Sequence, residues 1–517
     1  MNLMRAMTTV GGLTLGSRVL GFVRDMLAAA LMGAGPVADA FFVALRLPNL
    51  FRRMFAEGAF AAAFVPQYSK RLEQNGGVAI AGDYAGRAMA LLLAVLAPLV
   101  AIFMICMPWV IHALAPGFDE GGGERYDLAV ELTRITFPYL IFMSVTALIG
   151  GMLNAVGRFG PFAAAPVLFN ITLITALLAS IHMFETPGHA LAWGVSAAGV
   201  IQLLWILWHM KRHRLFLPLR KPKLDPEMRK LWKLILPGAL GAGVVQINLM
   251  VDTILASTLD VGAVTWLYFA DRLNQLPLGV IGIAIGTALL PMLSRLIESG
   301  DKDGTKAAFS RALEYALLLG LPAAAGLVLL AEPLISTLFE RGAFDADAVA
   351  RTAPALMSYA IGLPGYILVK VLATALFARE DTVSPVKVGI TITVLNICLS
   401  LTLIGPLGHI GIALSTGLTA WLHVGLLGWK VHKAGGLTLD HRVKRRIPGL
   451  LIATAVMAAA LYWVTPQVAP LLEETWHIHI PALFTLIASG ALLYFGTAGL
   501  LGAFDPMEIR SLRSRPK

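Results

Sequence analysis

"SRVLGFVRDMLAAALMGAGPVADAFFVALRLPNLFRRMFAEGAF", residues 17–60, decides the class of this protein. Its apolar residues are dense enough for two helices in a lipid bilayer. Yet it carries Arg18, Arg24, Asp25, Asp39, Arg46, Arg52, Arg53 and Glu57. A soluble chain would spread such charges over a wet surface, but the rest of the sequence rules that class out. Of 517 residues, 57% are hydrophobic and only 14% charged, and the mean hydropathy is +0.75; soluble domains carry about 25% charged residues. The chain therefore reads as an all-α, polytopic integral membrane protein, and the eight charges have to be explained inside it.

A bilayer-crossing helix needs about 20 mostly apolar residues. Fourteen runs qualify: 7–33, 37–66, 85–114, 128–153, 161–182, 189–210, 230–257, 264–294, 310–331, 352–378, 385–404, 409–430, 447–465 and 481–503. The first is too long and too interrupted by arginine for a cleaved signal and is expected to stay. Loops rich in Lys and Arg ("SKRLEQNGG", "KRHRLFLPLRKPKLDPEMRKLWK", "KVHKAGGLTLDHRVKRR", "RSLRSRPK") alternate with acidic or near-neutral ones ("PGFDEGGGERYD", "HMFETPGH", "FERGAFDADAVAR", "PLLEETWHIHI"). Positive loops stay in the cytoplasm, so both termini are expected there. This asymmetry accounts for most of the net charge of +10, and no nucleic-acid surface is implied. Contact of the basic 211–233 stretch with anionic lipid is a further reading.

Landmarks recur at an offset of 225–226 residues. "FVPQYSKRLE" from Phe64 resembles "LLPMLSRLIE" from Leu289, and "VALRLPNL" from Val43 resembles "FADRLNQL" from Phe269, placing Arg46 over Arg272. Pro138 in "TFPYL" matches Pro364 in "GLPGYI", and "LFNI" ending at Ile171 matches "VLNI" ending at Ile397. Each repeat holds six helices, so both have one orientation, related by an axis along the membrane normal with a substrate site between them. The expected organisation is an N-lobe over 1–210, a basic linker over 211–229, a C-lobe over 230–430, two extra helices over 447–503 and a tail over 504–517. Such a plan is that of a transporter.

A charge at the centre of a membrane helix costs about 2.5–3.5 kcal/mol on insertion scales, so these side chains must face protein or water. At about 100° per residue, Ser17, Arg18, Gly21, Arg24 and Asp25 fall within roughly 120° of one helix. On the second, Asp39, Arg46, Asn49, Arg52, Arg53 and Glu57 fall within roughly 140°. A self-neutralising network is the plain alternative, but five arginines against three acids leave two positive charges over (5 − 3 = 2). The repeat offset puts Leu278 and Gly279 under Arg52 and Arg53, so the second half lacks this charge. An uneven cationic cavity suits a diphosphate-bearing amphiphile, because guanidinium forks match phosphate oxygens.

The segments "SRVLGFVRD", "VADAFFVALRLPNLFRRMFAEGAF", "TFPYL", "DRLNQLPLGVIGIAIGTALLP" and "VKVLA" strongly resemble the MurJ (MviN) lipid II flippases of the multidrug/oligosaccharidyl-lipid/polysaccharide (MOP) exporter superfamily. The resemblance runs to about residue 503. It implies fourteen helices in two lobes, and transfer of the undecaprenyl-pyrophosphate-linked peptidoglycan precursor, lipid II, across the bacterial inner membrane for cell-wall synthesis. It also implies that Arg18, Arg24, Arg52 and Arg272 line the cavity, with Asp25, Asp39 and Glu57 as acids of the same motif. The last two helices would hold the polyprenyl tail. Some members have a sodium site, whose positions correspond here to Asp252, Asn396, Ser400 and Thr416. Ser400 stands where some carry an acid, which predicts at most a weak site.

Other readings stay open on the sequence: an O-antigen lipid or drug exporter of the same superfamily, or a membrane enzyme or scaffold of wall synthesis, with partners in that machinery. No P-loop, HExxH or metal-spaced carboxylates are present, so no cofactor is expected. Without a nucleotide site, transport would draw on an ion gradient or the membrane potential. His477 and His479 read as a solvated loop, and Cys106 and Cys398 as small buried hydrophobes.

Overall fold

The computed structural model describes residues 3–56, 59–74, 77–119, 123–434, 440–472 and 476–505. Glu57 and most of the tail lie outside them. Among the described residues the chain is helical, with a lone bridge between Arg341 and Phe344 as its only strand-like pairing. In chain order the helices are α1 (Leu3–Met32), α2 (Pro36–Ala44), α3 (Arg46–Phe51), a π-helical turn (Arg52–Ala56), α4 (Ala59–Leu72), α5 (Gly77–Ile105) and α6 (Met107–Leu114). Then come α7 (Glu124–Thr136), α8 (Tyr139–Ala155), α9 (Gly160–Ala163), α10 (Ala165–Met183), α11 (Pro187–Arg212), α12 (Pro226–Ser257), α13 (Ala263–Glu298) and α14 (Lys302–Leu329). The last are α15 (Ala331–Phe339), α16 (Ala346–Ile361), α17 (Leu363–Phe377), α18 (Val383–Leu407), α19 (His409–Lys433), α20 (His441–Leu472) and α21 (Trp476–Leu500).

Among the described residues, ten helical segments are long and apolar enough to cross a membrane, and they match the third to sixth and ninth to fourteenth runs of the sequence. The other four runs are helical as α1, α2–α4, α12 and α13, and these carry Arg24, Arg52, Asp252 and Arg272. Two compact units form, Met1–Thr265 with Arg341–Phe344, and Trp266–Glu340 with Asp345–Lys517. In the first, α10 packs on α11 and α1, α4 on α8 and α12, and α2 on α7. In the second, α19 packs on α18 and α17, while α20 and α21 pair and α20 lies along α14. Tyr494 of α21 is fully buried, and its hydroxyl donates to the Leu318 carbonyl of α14 at 2.9 Å.

The second run departs from expectation, because it is not one helix. The ring of Pro48 crowds the carbonyl four residues back, at Ala44, and offers it no N–H. The helix accordingly stops at Ala44, restarts at Arg46, and widens into the π turn at Arg52–Ala56. A uniform 100° step across 39–57 therefore does not hold.

Both repeats interrupt a helix at the same place. α7 ends at Thr136 and α8 starts after Pro138; α16 ends at Ile361 and α17 contains Pro364 in its first turn. Each break exposes a carbonyl that another helix must satisfy. The Ser196 hydroxyl of α11 donates to the Ile135 carbonyl, and the Trp421 indole of α19 donates to the Ile361 carbonyl at 2.9 Å.

The basic linker is strapped across α5. A Cβ on Gly82 or Gly86 would fall 2.5 Å from the Phe216 carbonyl oxygen or 2.3 Å from that of Pro218. Only glycine allows this approach. Ion pairs hold the strap: Arg220 to Asp83 at 2.7 Å, and Arg87 to Asp225 at 2.6 Å and Glu227 at 2.8 Å.

Two smaller expectations change. His479 lies in the first turns of α21, not in a loop, and its Nε2 is 2.6 Å from the Thr337 hydroxyl. Cys398 is exposed and Cys106 half-buried. On helices apolar all round, outward positions suit lipid as well as packing does, so burial does not follow from hydrophobicity.

Candidate functional site

The first unit builds its polar site on α1 and α10. Asp25 is 2% exposed and Asn170 6%. Arg24, half-buried between them, donates from Nη2 and Nε to Asp25 Oδ1 at 2.6 and 3.0 Å, and from Nη1 to Asn170 Oδ1 at 3.0 Å. Asn170 in turn donates to the Ser17 carbonyl at 2.9 Å. A carboxylate and an amide thus fix the plane of the guanidinium. Asp25 takes the adjacent Arg24 rather than Arg18, seven residues back on the same face. Arg18 is exposed and, among the described residues, makes no side-chain hydrogen bond or ion pair.

The α2–α4 segment carries the rest of the first-half set. Arg52 Nε donates to Asn49 Oδ1 at 3.4 Å, and Arg53 Nη1 to Gln246 Oε1 of α12 at 3.1 Å. Amide oxygens orient a guanidinium without cancelling its charge. The Arg46 Nε is buried and has no hydrogen-bond partner among the described residues. Asp39 is placed elsewhere. It is fully buried and accepts from the Gly262 N–H at 2.7 Å, the Thr265 N–H at 3.0 Å and the Thr265 hydroxyl at 2.7 Å, with Arg125 at 3.9 Å. Its carboxylate closes the start of α13 instead of facing the arginines of the stripe. Glu57 lies outside the described residues.

In the second unit Arg272 is half-buried on α13. The positions matched to a sodium site divide between units. Asp252, on α12 of the first, accepts from Asn248 at 3.3 Å. In the second, Asn396 Nδ2 donates to Thr419 at 3.1 Å and Thr416 at 3.2 Å, and the Ser400 and Ser415 hydroxyls lie 2.5 Å apart. This cluster is all neutral oxygen and amide. Among the described residues no group of three or more His, Cys, Asp or Glu could hold a metal.

Sequence reasoning missed Asn170, Gln246 and Arg125. Asn170 was in view as a repeat landmark, and its repeat mate Asn396 is likewise buried within a polar cluster.

Apolar helical bundles with guanidinium groups fixed among them are the build of a polytopic membrane protein. Solved structures share the fold. One is "Lipid II flippase MurJ, inward closed conformation", at TM-score 0.77 and 24% identity over 94% of this chain and 98% of that one. Another is an inward-facing multidrug resistance MATE transporter of the MOP superfamily, at TM-score 0.69 and 16% identity over 81% and 94%. The family model for "Lipid II flippase MurJ" matches residues 28–479. Relatives include a probable lipid II flippase MurJ of Rhizobium meliloti (strain 1021), 40% identical over 99% of this chain and 97% of that protein. The lipid II flippase MurJ of Burkholderia cenocepacia is 36% identical over 97% and 98%. The chain belongs to the MurJ family of lipid II flippases, which are transporters and not enzymes.

Proposed function

We propose that this protein moves lipid II from the cytoplasmic to the periplasmic leaflet of the bacterial inner membrane by alternating access, supplying precursor for peptidoglycan. Family membership supports the substrate. The observation that carries the chemistry is Arg24, a guanidinium half-buried in an apolar helical unit and aimed by Asp25 and Asn170. Arg24, Arg52 and Arg272 bind the pyrophosphate and sugar head group, and Arg18 supports them. Asp25 partly neutralises this cluster when substrate is absent. The basic loops support a cytoplasmic location for both termini. α20 and α21, apolar on their outer faces, hold the polyprenyl tail.

Energy comes from the membrane potential or an ion gradient. Hard cations need several oxygens including charged ones, and the neutral cluster around Asn396 supports at most weak sodium binding. The test is complementation of a flippase-depleted strain, scored for outer-leaflet lipid II beside membrane protein level. Wild-type chain restores both; failure of abundant wild-type protein to raise outer-leaflet lipid II would overturn the assignment.

A further inference from the structure

A second cationic site lies in the first unit, away from the arginine stripe. A cavity of about 370 Å³ is lined by Thr9, Arg158, Phe159, Pro161, His209, Arg212 and His213. Two helix ends build it. α8 closes with Gly157 at φ 74°, its Arg158 N–H returning to the Leu153 carbonyl at 2.9 Å. α11 closes with Arg214 at φ 54°, and the Leu215 N–H returns to the Met210 carbonyl at 3.1 Å. Both ends thus satisfy their own terminal carbonyls, so the nearby arginines are not needed as caps. The left-handed backbone at Arg214, unusual for a residue with a Cβ, turns the chain just past Arg212 and His213.

The cavity is short of negative charge. Among the described residues neither Arg158 nor Arg212 makes an ion pair, and no carboxylate lines the wall. His209 is more telling: both of its ring nitrogens are buried without a hydrogen-bond partner. Its ring is fixed between Trp205 and Trp208, each 4.6 Å away edge to face. A buried polar group held without a partner costs free energy unless something meets it. Burial chiefly, with Arg158 and Arg212 adding to it, holds the His213 imidazole below its ordinary value.

We infer that this cavity binds a phosphate oxyanion, supplied by the headgroup of an anionic phospholipid. Arg158 and Arg212 contribute the charge, and His209 and His213 contribute ring N–H donors. Its surroundings favour lipid over a soluble ion. Trp208 is 50% exposed and Leu204 61% on the outer face of α11 beside the site, as tryptophans are at a headgroup boundary. The same end carries the basic linker, which the loop charges assign to the anionic cytoplasmic leaflet. The site is thus a lipid anchor independent of the substrate.

The full-length chain in detergent, titrated with phosphatidylglycerol or phosphatidylcholine and read by native mass spectrometry, tests this. Wild type should retain phosphatidylglycerol over phosphatidylcholine, and Arg158→Gln/Arg212→Gln should weaken one bound phosphatidylglycerol by roughly tenfold or more. Arg229→Gln/Lys230→Gln, which removes two exposed charges outside the cavity, should not. Equal retention by both variants, or equal loss, overturns the site. Comparable melting temperatures exclude misfolding as the cause. Inorganic phosphate is the second arm: if it binds as tightly as phosphatidylglycerol and displaces it, the oxyanion site stands but its lipid source is overturned.

Discussion

Asp39 and Thr265 stand 226 residues apart, the offset of the internal repeat, and they are bonded to one another. The carboxylate of the first repeat accepts both the backbone N–H and the hydroxyl of its counterpart in the second, at 3.0 and 2.7 Å. A duplicated position has become a complementary pair, acid in one copy and donor in the other.

This contact should be stabilising. Asp39→Asn replaces an acceptor by an amide whose NH₂ faces an N–H donor, and should cost about 1–3 kcal/mol. Thr265→Val removes one hydroxyl and should cost about 1 kcal/mol. Melting temperatures in detergent measure both, and an unchanged Asp39→Asn protein would show that the contact contributes nothing.

Arg24 tests recognition by shape against recognition by charge. Lys keeps the charge but loses the fork that Asp25 and Asn170 align. Arg24→Lys, and more so Arg24→Lys/Arg52→Lys, should impair flipping nearly as much as Arg24→Ala while the protein accumulates. Lys211→Arg in the linker should be silent. Full complementation by the double lysine variant would reduce these arginines to a general positive field.

Glu314 of α14 is 3% exposed and receives Arg446 at 2.5 Å and Arg442 at 3.2 Å from α20. Deleting one member of a buried ion pair typically costs about 3–5 kcal/mol; Arg442 is partly exposed, so the lower end is expected. Glu314→Leu should therefore lower the melting temperature and loosen α20–α21. Limited proteolysis between α19 and α20 gives an independent readout.

Asp225 caps α12, accepting from the Met228 N–H at 2.9 Å. That bond, and Arg87 beside it, hold its carboxyl below the ordinary value. A depressed folded value contributes stability above the unfolded pKa of about 4, and loses it as pH falls through the folded value. Linker protection should thus be flat from neutral pH down to about 5 and fall only below about 4. Asp225→Ala should cost about 1 kcal/mol at neutral pH and flatten the acid limb. Protease susceptibility of residues 213–225, followed against pH, reads both.

If sodium is not the coupling ion, Asp252→Ala and replacement of sodium by potassium should each leave flipping in proteoliposomes within about twofold. Sodium-dependent transport abolished by Asp252→Ala would reverse this.

Much of the fold was legible because a bilayer simplifies the reading: long apolar runs must be helices. What stayed hidden was set by contacts distant in sequence. The wheel put Asp39 beside Arg46, but Pro48 breaks the helix between α2 and α3, and the carboxylate finds Gly262 and Thr265. The offset that revealed the repeat also points from Asp39 to Thr265, though equivalence alone does not say that two positions touch. Arg24 was legible, whereas its aim depends on Asn170, 146 residues away.

The matched breaks after Thr136 and Ile361 bear on ancestry. An interruption at one place in both copies is most simply inherited from a single six-helix ancestor, older than the duplication. The donors are not inherited in the same way: a serine hydroxyl serves one carbonyl and a tryptophan indole the other. The open carbonyl recurs at both breaks, and the group that meets it differs. A search for remote kin should therefore weigh the proline-marked gap above the side chain that fills it.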